Sequence, residues 1–417
     1  MTYDLHKGNA RNGNARAPID RSGKEIRSSR GQGSAICQAF RLIRLSGLLC
    51  TLVAASTLNY WSQRGDPRFF SFLNSPMGTA CAHVFGWWRS PLECPLPDKR
   101  DRNLTPTERS LKRAIEDSVN QCAEAFSDRP YRVSYRDVVF RQEFPDMRLY
   151  LYPPYAIISD SPGDETDLVA TAIREVHVSF RETFCSLMTQ APEGELIHIL
   201  FFSAEDEYRD YQKRFAHAMQ NTSGFYSPAV NRLVLYRQPT STIENDNGMC
   251  FISIRHEAAH QLFFTYGIHS RHRVENEWLI EGLASYCETP QLGGVDPVQL
   301  RLLTDSHFQD TLIPIAHLVN HRSEGGLLAY KPAELAYAQA WSLVHFLMSD
   351  EHRTAFFAYI RYLRSTQSFS EVCKKSRIEI LCRHIGISPT QLDQDWTHYV
   401  EDLVEQLNEE CGSIGRK

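Results

Sequence analysis

The sequence predicts an α+β fold, and three observations predict it. Runs rich in β-branched and aromatic residues cluster before residue 240, the pattern is almost entirely helical after about residue 248, and 417 residues with 42% hydrophobic and 23% charged side chains can bury a sizeable core. Strands first and helices later imply a small mixed β-sheet, then a pair of helices, then a mostly helical C-terminal part. The same composition, with 22 Gly and 20 Pro, excludes a collagen-like, coiled-coil or wholly disordered chain. No internal repeat is visible. Along the chain we divide a basic tail at 1–35, an apolar segment at 36–61, a connector with a first helix at 62–130, a core at 131–290 and the helical part at 291–417.

Charge is distributed unevenly. Residues 1–61 hold nine Lys/Arg and three Asp/Glu, so a net of +6 there leaves -11 on the remainder of a chain whose total is -5. With a pI near 6.4, that balance argues against a nucleic-acid partner. Residues 1–35, rich in Gly, Asn, Arg and Ser, carry no hydrophobic period and read as disordered. After them comes an uncharged run from Leu45 to Leu58, closed by Tyr60 and Trp61. A basic stretch before an apolar one is the layout of an export signal or an N-terminal membrane anchor, which would put the rest of the chain outside the cytoplasm. An amphipathic helix is the alternative, because 14 residues are short for a span of about 20. Of the 11 cysteines, Cys81 with Cys94 and Cys373 with Cys382 are close enough to form disulfides in an oxidising compartment, or else are buried thiols.

The first helix starts at a clear signal, with Thr105 as N-cap, Pro106 at the first helical position and Glu108 completing a capping box, and its pattern runs to about Phe126. From Tyr131 to Ser159 the β-rich runs Arg148–Tyr152 and Tyr155–Ile158 read as strands. Asp164–Phe184 reads as helix, Leu196–Phe202 as a buried strand, Ala204–Met219 as helix and Arg232–Tyr236 as a further strand. The final helix spans about Pro389 to Glu410 and has an ordinary amphipathic pattern.

Chemistry concentrates where strands give way to helices. Residues 256–260 read His-Glu-Ala-Ala-His on the apolar segment Met249–Tyr266. His256 and His260, four apart, share a helix face and reach one metal ion, while Glu257 is rotated about 100° and stands beside it. Gly267 stops that helix. A second begins near Asn276 and ends before Pro290. A short connection between two helices returns Glu281 to the first, and His, His and Glu are the three-ligand set of a catalytic Zn²⁺. His269 and His272, in the connecting loop, are rival ligands that would instead close a structural site.

The blocks His256-Glu-Ala-Ala-His260 and Trp278-Leu-Ile-Glu281-Gly-Leu-Ala-Ser-Tyr286 resemble the gluzincin zinc metallopeptidases of the thermolysin and aminopeptidase-N type. The likeness is closest to an uncharacterised bacterial gluzincin-like group that shares a Gly-Phe-Tyr segment, here Gly224-Phe225-Tyr226. It implies a zinc-binding helical hairpin within 131–290, one zinc ion on His256, His260 and Glu281, Glu257 as general base, and a peptide or protein substrate. Tyr337, opening a later helix, is similar to the tyrosine that donates to the oxyanion in aminopeptidase-N-like enzymes. Two features depart from these relatives. No aminopeptidase-type exopeptidase segment is visible, and Ser285 stands where thermolysin-like enzymes carry the acid that orients a ligand histidine. Glu288 or Asp246 is left for that task, or none. Extended peptide is expected to add along Arg232–Tyr236, taken as a sheet edge, with Gly224–Tyr226 near the cleft. A non-catalytic zinc module that binds peptides or envelope proteins is the second reading.

Overall fold

A computed structural model describes residues 103–123, 131–189, 194–215, 222–228, 230–238, 250–269, 276–305, 311–321, 327, 330–365 and 376–414. All belong to the second of two compact units, Met1–Phe69 and Phe70–Lys417. The basic tail, the apolar segment, the Cys81–Cys94 pair, Asp246, His272 and Cys373 lie outside the described residues. No helix among the described residues is long and apolar enough to cross a membrane.

The fold is α+β, with a five-stranded mixed sheet in the N-terminal half and a helical C-terminal part. Helix α1 (Pro106–Ala123) begins at the expected box: Thr105 N–H donates to the Glu108 carboxylate at 2.7 Å and Glu108 N–H to Thr105 Oγ1 at 3.2 Å. A second helix, α2 (Tyr135–Glu143), occupies part of the stretch expected to be strands. Its start is fixed by Asp137, whose carboxylate accepts from both the N–H and the hydroxyl of Ser134. Val138 and Phe140 then bury one face.

Strands β1 (Arg148–Tyr152), β2 (Tyr155–Ser159), β3 (Ile197–Phe202), β4 (Gly224–Ser227) and β5 (Arg232–Tyr236) pair in the order β1-β2-β3-β5-β4. β2, β3 and β5 are mutually parallel and buried along their whole length, as strands covered on both faces are. One face carries Ile157, Ile199, Leu233 and Leu235 against helix α3 (Gly163–Phe184). The other carries Ile158, Leu200 and Val234 against Phe140 and against Tyr208 and Tyr211 of helix α4 (Glu205–Phe215). Arg232–Tyr236, expected at a sheet edge, is therefore interior. Gly224–Ser227 folds back antiparallel on it through a turn at Asn231, whose φ is 51°, and takes the edge position.

Helix α5 (Phe251–Thr265) carries apolar residues on more than one side, which suits a helix packed between layers. Its Ile254 and Ala258 pack on the sheet, and its Ala259, Leu262 and Phe263 enter the helical core. Gly267, at φ 67°, ends it and lets Ile268 N–H turn back to Phe263 O at 2.9 Å. The helical core is built by α6 (Glu277–Tyr286), α7 (Pro297–Thr304), α8 (Ile315–Asn320), α9 (Ala333–Leu347), α10 (Arg353–Ser365), α11 (Arg377–Ile385) and α12 (Pro389–Ile414). Cys382 is a free thiol buried in that core on α11, in keeping with the buried-thiol alternative to a Cys373–Cys382 disulfide.

Candidate metal centre

Two helices meet to make the site. α5 supplies His256 and His260 one turn apart, and α6 brings Glu281 against them. α6 also packs closely on α9, because Gly282 has no side chain. A Cβ there would lie 2.5 Å from Ala340 O. The glycine next to the acid thus seats α6 at backbone contact distance.

The structure brings together three of the residues singled out by sequence. His256 Nε2 and His260 Nε2 are 3.1 Å apart, and Glu281 Oε2 lies 3.3 Å from the first and 3.5 Å from the second. Zinc bonds of about 2.0–2.1 Å at tetrahedral angles hold donor atoms about 3.3–3.4 Å apart, so this triangle has the dimensions of a zinc ligand set. Among the described residues this is the group able to hold a metal ion. Two imidazole nitrogens converging on a carboxylate also suit a cation electrostatically. The side chains of His256, His260 and Glu281 are 14%, 11% and 19% exposed, so the site is sheltered but reachable.

The remaining nitrogen of His256 has a built partner. Its Nδ1 lies 2.7 Å from Glu288 Oε1, an acceptor that keeps the proton on Nδ1 and aims the Nε2 lone pair at the triad. Glu288 thus takes the orienting role that Ser285 cannot. It comes from the turn after α6 instead of from the helix. Its second oxygen accepts from Gln299 Nε2 at 3.0 Å, a contact with no signal in the sequence.

Charge is strongly organised here. Burial disfavours the Glu281 anion, yet His260 and His256 overcome it and hold the carboxyl well below its usual range. For His256, burial acts downward, but Glu281 and Glu288 hold its basicity well above the ordinary value. Glu257 behaves differently. Burial pushes its carboxyl up and Glu281 adds to this, while His260 and His256 pull it down in part. The two acids are thereby driven in opposite directions, Glu281 towards the anion and Glu257 towards the protonated form.

Glu257 also touches the sheet edge. Tyr226 N–H of β4 donates to its carboxylate, and a Cβ on Gly224 would sit 3.3 Å from its Cγ. Gly224 therefore keeps space beside the acid. Tyr337 stands half-buried on the first turns of α9. Burial, then the charges of Glu281, Glu277, Glu257 and Glu288, raise its phenol far above the usual value. His269 does not join the centre. It is 3% exposed beyond the end of α5, with its ring 5.0 Å from Phe263 and 5.4 Å from Phe264.

Residues 251–369, which include every residue of the triad, match a family described as a protein of unknown function (DUF1570). The matched region runs from the start of α5 through α10 and is less than half of the chain. No curated protein matches the chain.

Proposed function

We propose that this chain is a zinc-dependent metallopeptidase of the gluzincin type, hydrolysing peptide bonds with Glu257 as general base. The observation that carries the reading is the 3.1–3.5 Å triangle of His256, His260 and Glu281 with the Glu257 carboxyl on the same helix. His256, His260 and Glu281 would hold one zinc ion, leaving a coordination position for water or substrate. When bound, zinc supplies Lewis-acid polarisation of a carbonyl and acidifies water.

The protein's own groups do the rest. Glu257, made more basic by burial, takes a proton from the attacking water and returns it to the leaving amine. Tyr337 keeps its proton because of burial and the surrounding acids, so it remains a donor for an oxyanion. The edge strand β4 replaces β5 as the place where extended peptide adds by main-chain hydrogen bonds, since β5 is paired on both sides. The contact from Tyr226 N–H to Glu257 supports this, because it ties that edge to the base. The basic-then-apolar order of residues 1–61 supports action by an exported or membrane-anchored protein.

Elemental analysis of the purified chain, together with hydrolysis of a mixed peptide library, tests the reading. One zinc per chain is expected in the parent and in Glu257→Gln, with cleavage falling by at least about 10²-fold in the variant. Zinc in both without cleavage by the parent would favour a peptide-binding module, and no zinc in either would remove the site.

A further inference from the structure

Glu288 carries an unusual burden for its position. It lies beyond the end of α6, so no helix holds its side chain, and rotation about its last torsion is soft. A carboxylate anchored through one oxygen would leave the ring of His256 free to swing. Here both oxygens are engaged, Oε1 by His256 Nδ1 at 2.7 Å and Oε2 by Gln299 Nε2 at 3.0 Å.

Gln299 is in turn held from behind. α7 starts with Pro297 at its first position, and Asp296 Oδ1 accepts from Val298 N–H at 2.7 Å and from Gln299 N–H at 3.1 Å. Leu300 and Leu303 then anchor the helix in the core. The turn that bears Glu288 is closed by Gly293 N–H on Tyr286 O at 3.0 Å, and His345 Nε2 meets Gly293 O at 3.0 Å. One more detail separates a polar task from space filling. The amide oxygen of Gln299 is buried with no partner, a cost that a leucine or methionine in the same place would not carry.

We infer that Gln299 is a positioning residue of the metal centre, fixing the Glu288 carboxylate so that His256 presents Nε2 to the ion. This rests on the zinc reading above. α7, which contributes no ligand, thereby sets the affinity of a site built by α5 and α6. Outer partners of metal-bound histidines typically change affinity by about 10–100-fold, and a residue one step further out acts more weakly.

The test is zinc affinity by competition with a chromophoric chelator, on the full chain, for the parent, Gln299→Met, Glu288→Ala and the double variant. Methionine keeps the volume and removes the donor, and Gln299→Ala serves if Gln299→Met does not fold. Gln299→Met is expected to weaken zinc by about 3–10-fold and to alter the visible d–d bands of the Co²⁺-loaded protein. On the Glu288→Ala background the same change is expected to have less than about a twofold effect, because its target is gone. Unchanged affinity in Gln299→Met, or an equal loss with and without Glu288, would overturn the inference while leaving the zinc reading intact. A parent that binds no zinc would overturn both.

Discussion

His177 joins three layers through one imidazole. It sits on α3 with Nδ1 2.9 Å from the Tyr155 hydroxyl of β2 and Nε2 2.6 Å from the Tyr266 hydroxyl at the end of α5. Both ring nitrogens are satisfied by neutral partners, so the site suits neutral imidazole. Burial, then the charge of Arg181, pushes its pKa down to about 4. In the unfolded chain the same group titrates near 6.5. Between these values the unfolded state binds a proton that the folded state refuses. Its contribution is therefore complete above about pH 6.5 and is lost as pH falls towards 4, to the extent of about 3 kcal/mol. Urea unfolding of the metal-free chain at pH 7 and pH 4.5 measures this. The loss of stability on acidification should be smaller by about 2 kcal/mol in His177→Gln than in the parent, most of the full effect being reached by pH 4.5, and equal losses would show that the imidazole is not the group responsible.

At the scale of elements, the placing of α6 decides whether Glu281 reaches the histidines. Gly282→Ala would put a methyl 2.5 Å from Ala340 O and 2.9 Å from Ala340 C, contacts that backbone cannot yield cheaply. α6 must then move off α9. The expected cost is about 1–3 kcal/mol in unfolding free energy, together with weaker zinc binding, since the displaced helix carries Glu281, the proposed ligand. Ser285→Ala on the same helix is the control, and an equal loss of zinc affinity in both variants would point away from the glycine. How much of these elements the sequence reveals follows from how local their causes are. The Thr105–Glu108 box and the Gly267 stop act within one turn of chain, so α1 and the end of α5 are legible. α2 is missed because its start depends on Ser134 and Asp137 within a stretch of otherwise β-rich residues. The edge position of Gly224–Ser227 is missed because strand order is set by non-local pairing, which residues 224–236 do not encode.

At the scale of the molecule, α5 belongs to two of the hydrophobic cores, and the candidate metal centre lies on the helix that joins them. The triad is legible because helical spacing alone puts His256 and His260 on one face and a short connection returns Glu281. The support from Glu288 and Gln299 is not, because it depends on the path of a turn and the seating of α7. A ligand that bridges α5 and α6 and is bound only by the folded chain must stabilise the fold by mass action. Zinc at about 1,000 times its dissociation constant should add about 4 kcal/mol, and the unfolding temperature should keep rising with free zinc rather than plateau at one equivalent. In His260→Ala, which leaves two of the three ligands, the rise should largely disappear. Thermal unfolding at a series of buffered zinc concentrations reads this directly. Equal rises in parent and variant would mean that zinc binds elsewhere, whereas a rise confined to the parent would tie the centre to the joint between the cores.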